Sequence, residues 1–168
     1  MPELLNLESC RLCPRECKVN RLAGQTGFCG FSALPAVARC ALHFWEEPCI
    51  SGTQGSGTVF FSGCTLSCVY CQNHEISGNK TGKEVSIQRL SEMFLEQQSR
   101  KAHNINLVTP AHFVPQIKEA LILARQQGLA LPVVYNTHGY EKIETLKSLK
   151  GLIQVYLPDY KYAHEKTA

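Results

Sequence analysis

Three cysteines in the middle of the chain, Cys64, Cys68 and Cys71, constrain this sequence more than any other feature. They fall within eight residues and directly follow an apolar run, Val59-Phe60-Phe61. A loop with this spacing can bring three thiolates to one metal centre. Because thiolates are soft ligands, the pattern favours zinc or an iron–sulfur cluster as the occupant.

The number of cysteines separates these two occupants. Structural zinc and the clusters of ordinary ferredoxins are bound by four protein ligands, whereas this loop supplies three cysteines. A 4Fe-4S cluster held by three cysteines leaves one iron with an open coordination site, which a substrate can occupy. Tyr70, immediately before the third cysteine, can pack beside a cluster or beside a flat ligand such as adenine. A Cys3His zinc site completed by His74 is an alternative, although it would not need Tyr70 or the preceding strand.

A cysteine loop spaced three then two, with an aromatic residue before the last cysteine, resembles the radical S-adenosylmethionine (radical SAM) superfamily. The longer strings at residues 51–64 (SGTQGSGTVFFSGC) and 71–77 (CQNHEIS) are similar to uncharacterised iron–sulfur relatives of the pyruvate formate-lyase activating enzyme. The resemblance implies a 4Fe-4S cluster on Cys64, Cys68 and Cys71, with S-adenosylmethionine (SAM) as the second cofactor. It also implies an external electron donor and reductive cleavage of SAM to methionine and a 5′-deoxyadenosyl radical.

A second group of cysteines lies upstream: Cys10, Cys13, Cys17 and Cys29. A Cys-x-x-Cys pair and glycines suited to tight turns make this pattern typical of a small metal-binding knuckle. The spacing fits zinc and an auxiliary iron–sulfur cluster equally well as a second metal. The same arrangement occurs in the activating-enzyme relatives, which does not identify the metal. Free or buried thiols in a loop-rich lead-in are the alternative.

Composition excludes several classes of function. The chain has 168 residues, 44% of them hydrophobic, which is enough for one packed core. Its formal net charge of +3 is spread along the sequence and does not indicate a nucleic-acid partner. No apolar run approaches the roughly 18 residues of a membrane span, and the acidic N-terminus is not a signal peptide. Nine cysteines in short spacings favour metal binding in a reducing cytoplasm over disulfides.

Beyond the cysteine loop, helical and strand patterns alternate. Ser86 is a predicted cap for a helix with apolar residues at helical spacing, and Pro115 suits the first turn of the next. A third helix is predicted over residues 140–150. Strands are predicted over residues 36–44, 58–62, 104–109, 131–135 and 152–157. Alternation of this kind indicates βα units and a parallel sheet.

The predicted fold is therefore α/β: an incomplete partial barrel of about four parallel strands, behind a small cysteine-rich lead-in. Radical SAM domains carry six βα units, so the resemblance implies that this chain covers only part of such a domain. We divide it into a cysteine-rich segment, residues 1–50, and a truncated radical SAM partial-barrel domain, residues 51–168. Another chain that completes the barrel would cover the open edge of the fourth strand.

Ligands of parallel α/β folds bind at the carboxyl ends of the strands. Many activating enzymes have a Gly-Gly-Glu stretch at the second strand end, which contacts the SAM amino group, and this sequence lacks it. Thr109 or His112 is the predicted hydrogen-bonding replacement. The predicted cofactor-binding residues are Tyr70, Thr109, His112, Asn136 and Asp159. The alternatives are a structural role at the start of a loop for Thr109 or His112, helix capping for Asn136, and pairing with Lys161 for Asp159.

The sequence thus predicts a radical SAM enzyme of the glycyl-radical-activating type, an oxidoreductase without catalytic residues beyond the cluster ligands. A protein glycine is one hydrogen donor compatible with the resemblance, and SAM and an electron donor are its expected partners. One rival is a catalytically silent metal-binding fragment, with an iron–sulfur cluster or zinc, that lacks the last barrel strands. Another is a small electron-transfer protein with paired clusters, which the absence of a fourth close cysteine disfavours.

Overall fold

The structure, a computed structural model, describes residues 6–78, 81–161 and 164. Six strands form one sheet in the order β3-β1-β2-β4-β5-β6. The strands are β1 (Ala36–His43), β2 (Ser56–Phe61), β3 (Lys83–Glu84), β4 (Ile105–Val108), β5 (Val133–Thr137) and β6 (Val155–Pro158). The helices are α1 (Pro48–Ser51), α2 (His74–Ser77), α3 (Ile87–Ser99), α4 (Val114–Gln126) and α5 (Ile143–Lys147).

The four strands β2, β4, β5 and β6 are parallel, which confirms the predicted α/β class and partial barrel. Their ends differ by a few residues from the predicted ones. The sheet is not closed, and in the described part of the chain no strand pairs with the outer edge of β6. Helices α3 and α4 connect consecutive parallel strands, as crossovers between parallel strands require.

Strand β1 runs antiparallel to β2 and covers the side of β2 that would otherwise be an edge. The sequence predicts this strand but not its place in the sheet. The sequence suggests a domain boundary at residue 50. Strand β1 lies before that boundary and β2 after it, yet the two strands are hydrogen-bonded to each other. That division stays a prediction.

The core lies between one face of the sheet and helices α3 and α4. Ser86 caps α3 by accepting a hydrogen bond from the Arg89 backbone N–H, as predicted. Pro115 lies in the first turn of α4, where its missing N–H costs no hydrogen bond. The helices bury their apolar faces against alternate strand residues, among them Leu90, Phe94, Ile117, Leu121, Val59, Leu107 and Tyr135.

The third predicted helix is shorter than expected. The sequence predicts a helix over residues 140–150, whereas α5 covers only Ile143–Lys147, and residues 148–150 follow it as turns. At the start of the helix the reason is Glu141, whose carboxylate accepts hydrogen bonds from the Tyr135 and Thr137 hydroxyls and so points back towards the sheet. This side chain keeps the residues before Ile143 irregular, and the helix begins only after it.

Candidate metal centre and ligand cleft

The loop after β2 carries all three central cysteines to the carboxyl end of the parallel strands. Cys64, Cys68 and Cys71 line one cleft of about 870 Å³. Two tight bends shape the loop, since Gly63 and Ser67 both have positive φ angles, of 82° and 59°. The short spacing of the three cysteines in the sequence therefore places all three thiols at the same cleft.

Hydrogen bonds from the chain reach two of these sulfurs. The Leu66 backbone N–H donates to Cys64 Sγ at 3.3 Å, and the Ser77 hydroxyl donates to Cys71 Sγ at 3.4 Å. Donors of this kind stabilise a thiolate and tune the potential of an iron–sulfur cluster. The loop is closed further by a backbone hydrogen bond from Cys71 N to Cys68 O, at 3.2 Å.

The donor set of this loop fits an iron–sulfur cluster with one open iron. Among residues 6–78, 81–161 and 164, no three Cys, His, Asp or Glu side chains are yet gathered around one point, either in this loop or in the upstream cysteine group. The three thiols of a cluster bind different irons, so they do not need to meet at one point. Three cysteines lining a wide cleft match the ligand set of a 4Fe-4S cluster with one open iron, which binds cysteine as the soft thiolate.

Four of the five predicted cofactor-binding residues line the same cleft: Tyr70, Thr109, Asn136 and Asp159. Tyr70 is 66% exposed, so its ring is available to a ligand. Asp159 pairs with Lys161 at 2.6 Å, which was the predicted alternative to ligand contact. The carboxyl ends of β2, β4, β5 and β6 thus contribute thiols, a hydroxyl, an amide and a carboxylate to one cleft.

A sequence model of the Radical SAM superfamily matches residues 58–158, more than half of the chain. The chain belongs to the radical SAM superfamily. It is also 30% identical, over an alignment of 184 positions, to an uncharacterized protein of Methanocaldococcus jannaschii. That alignment covers 98% of this chain and 52% of the relative, so the chain spans about half the length of the curated relative it matches. A 4Fe-4S cluster and SAM follow as the cofactors of the superfamily.

No helix in the described residues is both long and apolar enough to cross a membrane.

His112, the fifth predicted cofactor-binding residue, does not line the radical SAM cleft. It lies in a 3-10 turn, Ala111–Phe113, that directs its ring into the protein beside Phe31 and Phe113. The ring is only 2% exposed, and its Nε2–H donates to the Ser62 carbonyl at 2.8 Å. Burial lowers the pKa of His112 to about 3, so the imidazole is neutral. The structure gives no support for the predicted contact with SAM.

Sequence reasoning missed two features of the cleft. Glu46 lies in the segment between β1 and α1, lines the cleft and accepts a hydrogen bond from Asn136 Nδ2 at 3.3 Å. Burial raises the pKa of the Glu46 carboxyl. The two residues are 90 positions apart, and no local pattern joins them.

The second missed feature is a tie between the cysteine loop and the end of β5. His138 Nδ1 accepts from the Tyr140 N–H at 3.1 Å, so the neutral ring carries its proton on Nε2. That nitrogen donates to the Thr65 hydroxyl, at 2.9 Å. Burial, followed by the charge of Lys161, lowers the pKa of His138 to about 4 and keeps the ring neutral at ordinary pH.

The upstream cysteines form a separate group, which we call the knuckle: Cys10, Cys13, Cys17 and Cys29. All four lie outside the range that the superfamily model matches, and they line one small pocket of about 10 Å³ together with Thr65 and His112 from inside that range. Backbone hydrogen bonds from Cys10 N to Val19 O and from Lys18 N to Cys10 O close the knuckle. Burial is the main cause that raises the pKa of the Cys13 thiol to about 11. Without a metal, this thiol stays protonated.

The knuckle packs directly against the cysteine loop. Arg15 Nε donates to the Thr65 carbonyl at 3.0 Å, and a Cβ on Gly63 would overlap the Cys29 carbonyl oxygen. The buried Thr145 hydroxyl, on α5, donates to the Leu12 carbonyl at 2.7 Å. The knuckle is therefore fixed to both the loop and the last helix, although the chain around it has no regular helix or strand.

Proposed function

We propose that this chain reductively cleaves SAM to a 5′-deoxyadenosyl radical, with its cluster on Cys64, Cys68 and Cys71. The observation that carries the proposal is that three thiols and the polar ends of four parallel strands line one cleft. When bound, a 4Fe-4S cluster with an open iron supplies the electron that breaks the carbon–sulfur bond of SAM. Membership of the radical SAM superfamily supports an enzyme of this kind.

The protein's own residues supply ligation, orientation and shielding. The cleft, at about 870 Å³, falls within the range of small-molecule sites. We propose that the Tyr70 ring packs beside the adenine. Thr109, Asn136 and Asp159 would then hydrogen-bond to the ribose and methionine parts. Glu46 adds a carboxylate next to Asn136, which suits the ammonium group that a Gly-Gly-Glu stretch contacts in activating enzymes.

We further propose that the radical serves an activating-enzyme reaction, in which hydrogen is taken from a protein glycine. Support comes from the resemblance of residues 51–64 and 71–77 to the activating-enzyme relatives. The reaction needs an external electron donor, and in this proposal a second polypeptide binds along β6. That polypeptide would be either the protein substrate or a chain that completes the barrel.

We also propose that the knuckle binds a second metal, either zinc or iron–sulfur in kind. Four cysteines on one small pocket support this, since each of them would otherwise be a free thiol. The rival function, a catalytically silent metal-binding fragment, is not favoured by the comparisons. The superfamily model matches from β2 through β6, and four of the five predicted cofactor-binding residues share the cleft.

The test is anaerobic reconstitution with iron and sulfide, followed by incubation with SAM and a strong reductant. We expect 5′-deoxyadenosine from the wild-type chain and none above background from Cys68→Ala. Cys49→Ala is the matched control, because Cys49 is exposed and lies outside both cysteine groups. A cluster that forms without any 5′-deoxyadenosine would reject cleavage by this chain and favour the silent fragment.

A further inference from the structure

We infer that the knuckle binds a single divalent metal ion through four thiolates, with the buried Arg21 as the counter-charge of that site. The inference rests on the proposed second metal and specifies its kind. It assigns the four cysteines a closed, structural centre and gives an opposite charge to a buried cation whose partners among the described residues are two carbonyls and the Phe113 ring.

Arg21 is the largest fully buried side chain among the described residues and is only 1% exposed. Its Nε donates to the Ser32 carbonyl at 2.8 Å and its Nη1 to the His112 carbonyl at 2.6 Å. Nη2 is buried without a hydrogen-bond partner, and none of the ion pairs in the described chain includes Arg21. A guanidinium keeps its charge at any ordinary pH, and a buried charge without an opposite partner is costly.

The missing negative charge fits a metal thiolate site. Arg21 lines the same pocket as the four cysteines. Four thiolates around a divalent ion carry a net charge of −2, whereas four protonated thiols carry none. Metal binding would therefore place negative charge beside Arg21, and Nη2 is the donor available to a sulfur. His112 Nδ1, the other unpartnered nitrogen of the pocket, presents a lone pair because its Nε2 carries the proton. It cannot donate to a thiolate.

The size of the pocket favours one ion over a cluster. Its volume of about 10 Å³ is about that of a single water-sized probe. Cys17 Sγ is packed so closely that a Cβ on Gly27 would lie 3.0 Å from it. Four irons and four sulfides would need the surrounding turns to move apart. One ion needs only that the sulfurs be drawn together, since they are not yet arranged around a common point.

A closed set of four thiolates has no open position for a substrate, which is the mark of a structural zinc-type site. The knuckle metal would therefore hold the turns that pack against the cysteine loop. It would take no part in cleaving SAM. The three-cysteine loop and the four-cysteine knuckle would bind different inorganic groups in one chain.

The test uses the full chain with Cys64, Cys68 and Cys71 all changed to Ala, so that only the knuckle can bind metal tightly. Co²⁺ is titrated anaerobically, because it is a coloured substitute for Zn²⁺ in tetrahedral thiolate sites. We expect one equivalent to bind, with intense sulfur-to-cobalt absorption and visible bands of a tetrahedral ion. Absence of tight Co²⁺ binding would overturn the inference. So would an acid-labile sulfide cluster forming in this variant on incubation with iron and sulfide.

Arg21 is tested in the same background. Arg21→Gln should weaken Co²⁺ binding roughly tenfold to a hundredfold, as loss of an outer-shell partner does. Arg21→Lys keeps the charge and should lose less of the Co²⁺ affinity. It takes the place of Arg21→Gln in the test if that variant folds poorly. Arg11→Gln is the matched control, because Arg11 lies in the knuckle but is exposed. Equal affinities for the Arg21→Gln and Arg11→Gln variants would overturn the counter-charge role. Failure here leaves the 5′-deoxyadenosine assay unaffected, so the two proposals fail separately.

Discussion

The two cysteine groups of this chain differ in depth and in what surrounds them. In the knuckle, Cys13 and Cys29 are each only 8% exposed, Cys10 and Cys17 are half-buried, and all four thiols share a pocket of about 10 Å³. In the loop, all three thiols are half-buried and line a cleft of about 870 Å³. The number of thiols and the space around them therefore differ together: four thiols in a small pocket suit a structural ion, and three in a wide cleft suit a reactive cluster.

The two regions also differ in the ionisable side chain that each one contains, Arg21 beside the knuckle and Glu141 near the cleft. Arg21 beside the knuckle keeps its charge and needs an external negative group. Glu141, near the end of β5, is half-buried, and burial raises the pKa of its carboxyl to about 7. A carboxyl can avoid the cost of burial by taking up a proton, whereas a guanidinium cannot.

The largest expected loss of stability comes from removing one cysteine of the knuckle. Cys13→Ala should lower the free energy of unfolding of the zinc-loaded chain by about 4 kcal/mol or more, because loss of a structural metal is among the most destabilising changes. Denaturant unfolding measures it, with Cys49→Ala expected to match the wild type. Equal stability of Cys13→Ala and wild type would mean that the knuckle is not held together by metal.

Glu141→Gln should give the next largest effect, a change in how the free energy of unfolding depends on pH. The folded carboxyl binds its proton more tightly than the unfolded one, whose pKa is near 4.5, so wild-type stability falls as pH rises from about 4.5 to 7. The side chain of Gln does not ionise. The wild type should therefore lose at most about 3 kcal/mol relative to the variant across this range. A difference in unfolding free energy that does not change with pH would contradict this assignment.

Gly63→Ala tests the contact between the two regions. Gly63 has a φ of +82°, and its new methyl group would overlap the Cys29 carbonyl oxygen and the Phe31 ring. Strain and overpacking together should cost about 2–3 kcal/mol. Gly128→Ala is the control, with a φ of +97° and nothing within 4 Å, and it should cost about 1 kcal/mol. Similar losses of unfolding free energy for both variants would show that the knuckle and the loop are not packed tightly together.

Arg15→Ala is the mildest test of the same contact. It removes the hydrogen bond to the Thr65 carbonyl and the stacking of the guanidinium on the Phe28 ring, 3.9 Å from its centroid. We expect a loss of about 1 kcal/mol in stability and faster release of loop iron to a chelator. The exposed Arg11→Ala variant should release iron at the wild-type rate. If the two variants behave alike, Arg15 does not brace the loop.

The local features of this fold could be predicted from the sequence, and the long-range ones could not. The Cys64–Cys71 spacing, the Ser86 cap and the apolar faces of α3 and α4 all depend on neighbours in the chain. Placing polar strand ends at one edge of a parallel sheet was enough to bring Thr109, Asn136 and Asp159 into one cleft. That general rule needs only the order of strands and helices.

The same rule failed for His112, because the 3-10 turn after β4 directs the ring inward instead of towards the cleft. Glu46 contacts Asn136 over a separation of 90 residues, and no local spacing in the sequence predicts that contact. The residues next to Arg21 in the sequence, Asn20 and Leu22, form no pattern that predicts a buried cation. Its hydrogen bonds go to the carbonyls of Ser32, 11 residues along the chain, and of His112, 91 residues along.

The most direct test of this account is the electron paramagnetic resonance spectrum of the reconstituted, reduced chain, recorded with and without SAM. Binding of SAM at an open iron changes the environment of the cluster. We therefore predict a shifted signal in the wild type and in Arg21→Gln, and no cluster signal in Cys68→Ala. A wild-type signal that SAM leaves unchanged, or a signal in Cys68→Ala that SAM shifts as in the wild type, would contradict an open cluster on this loop.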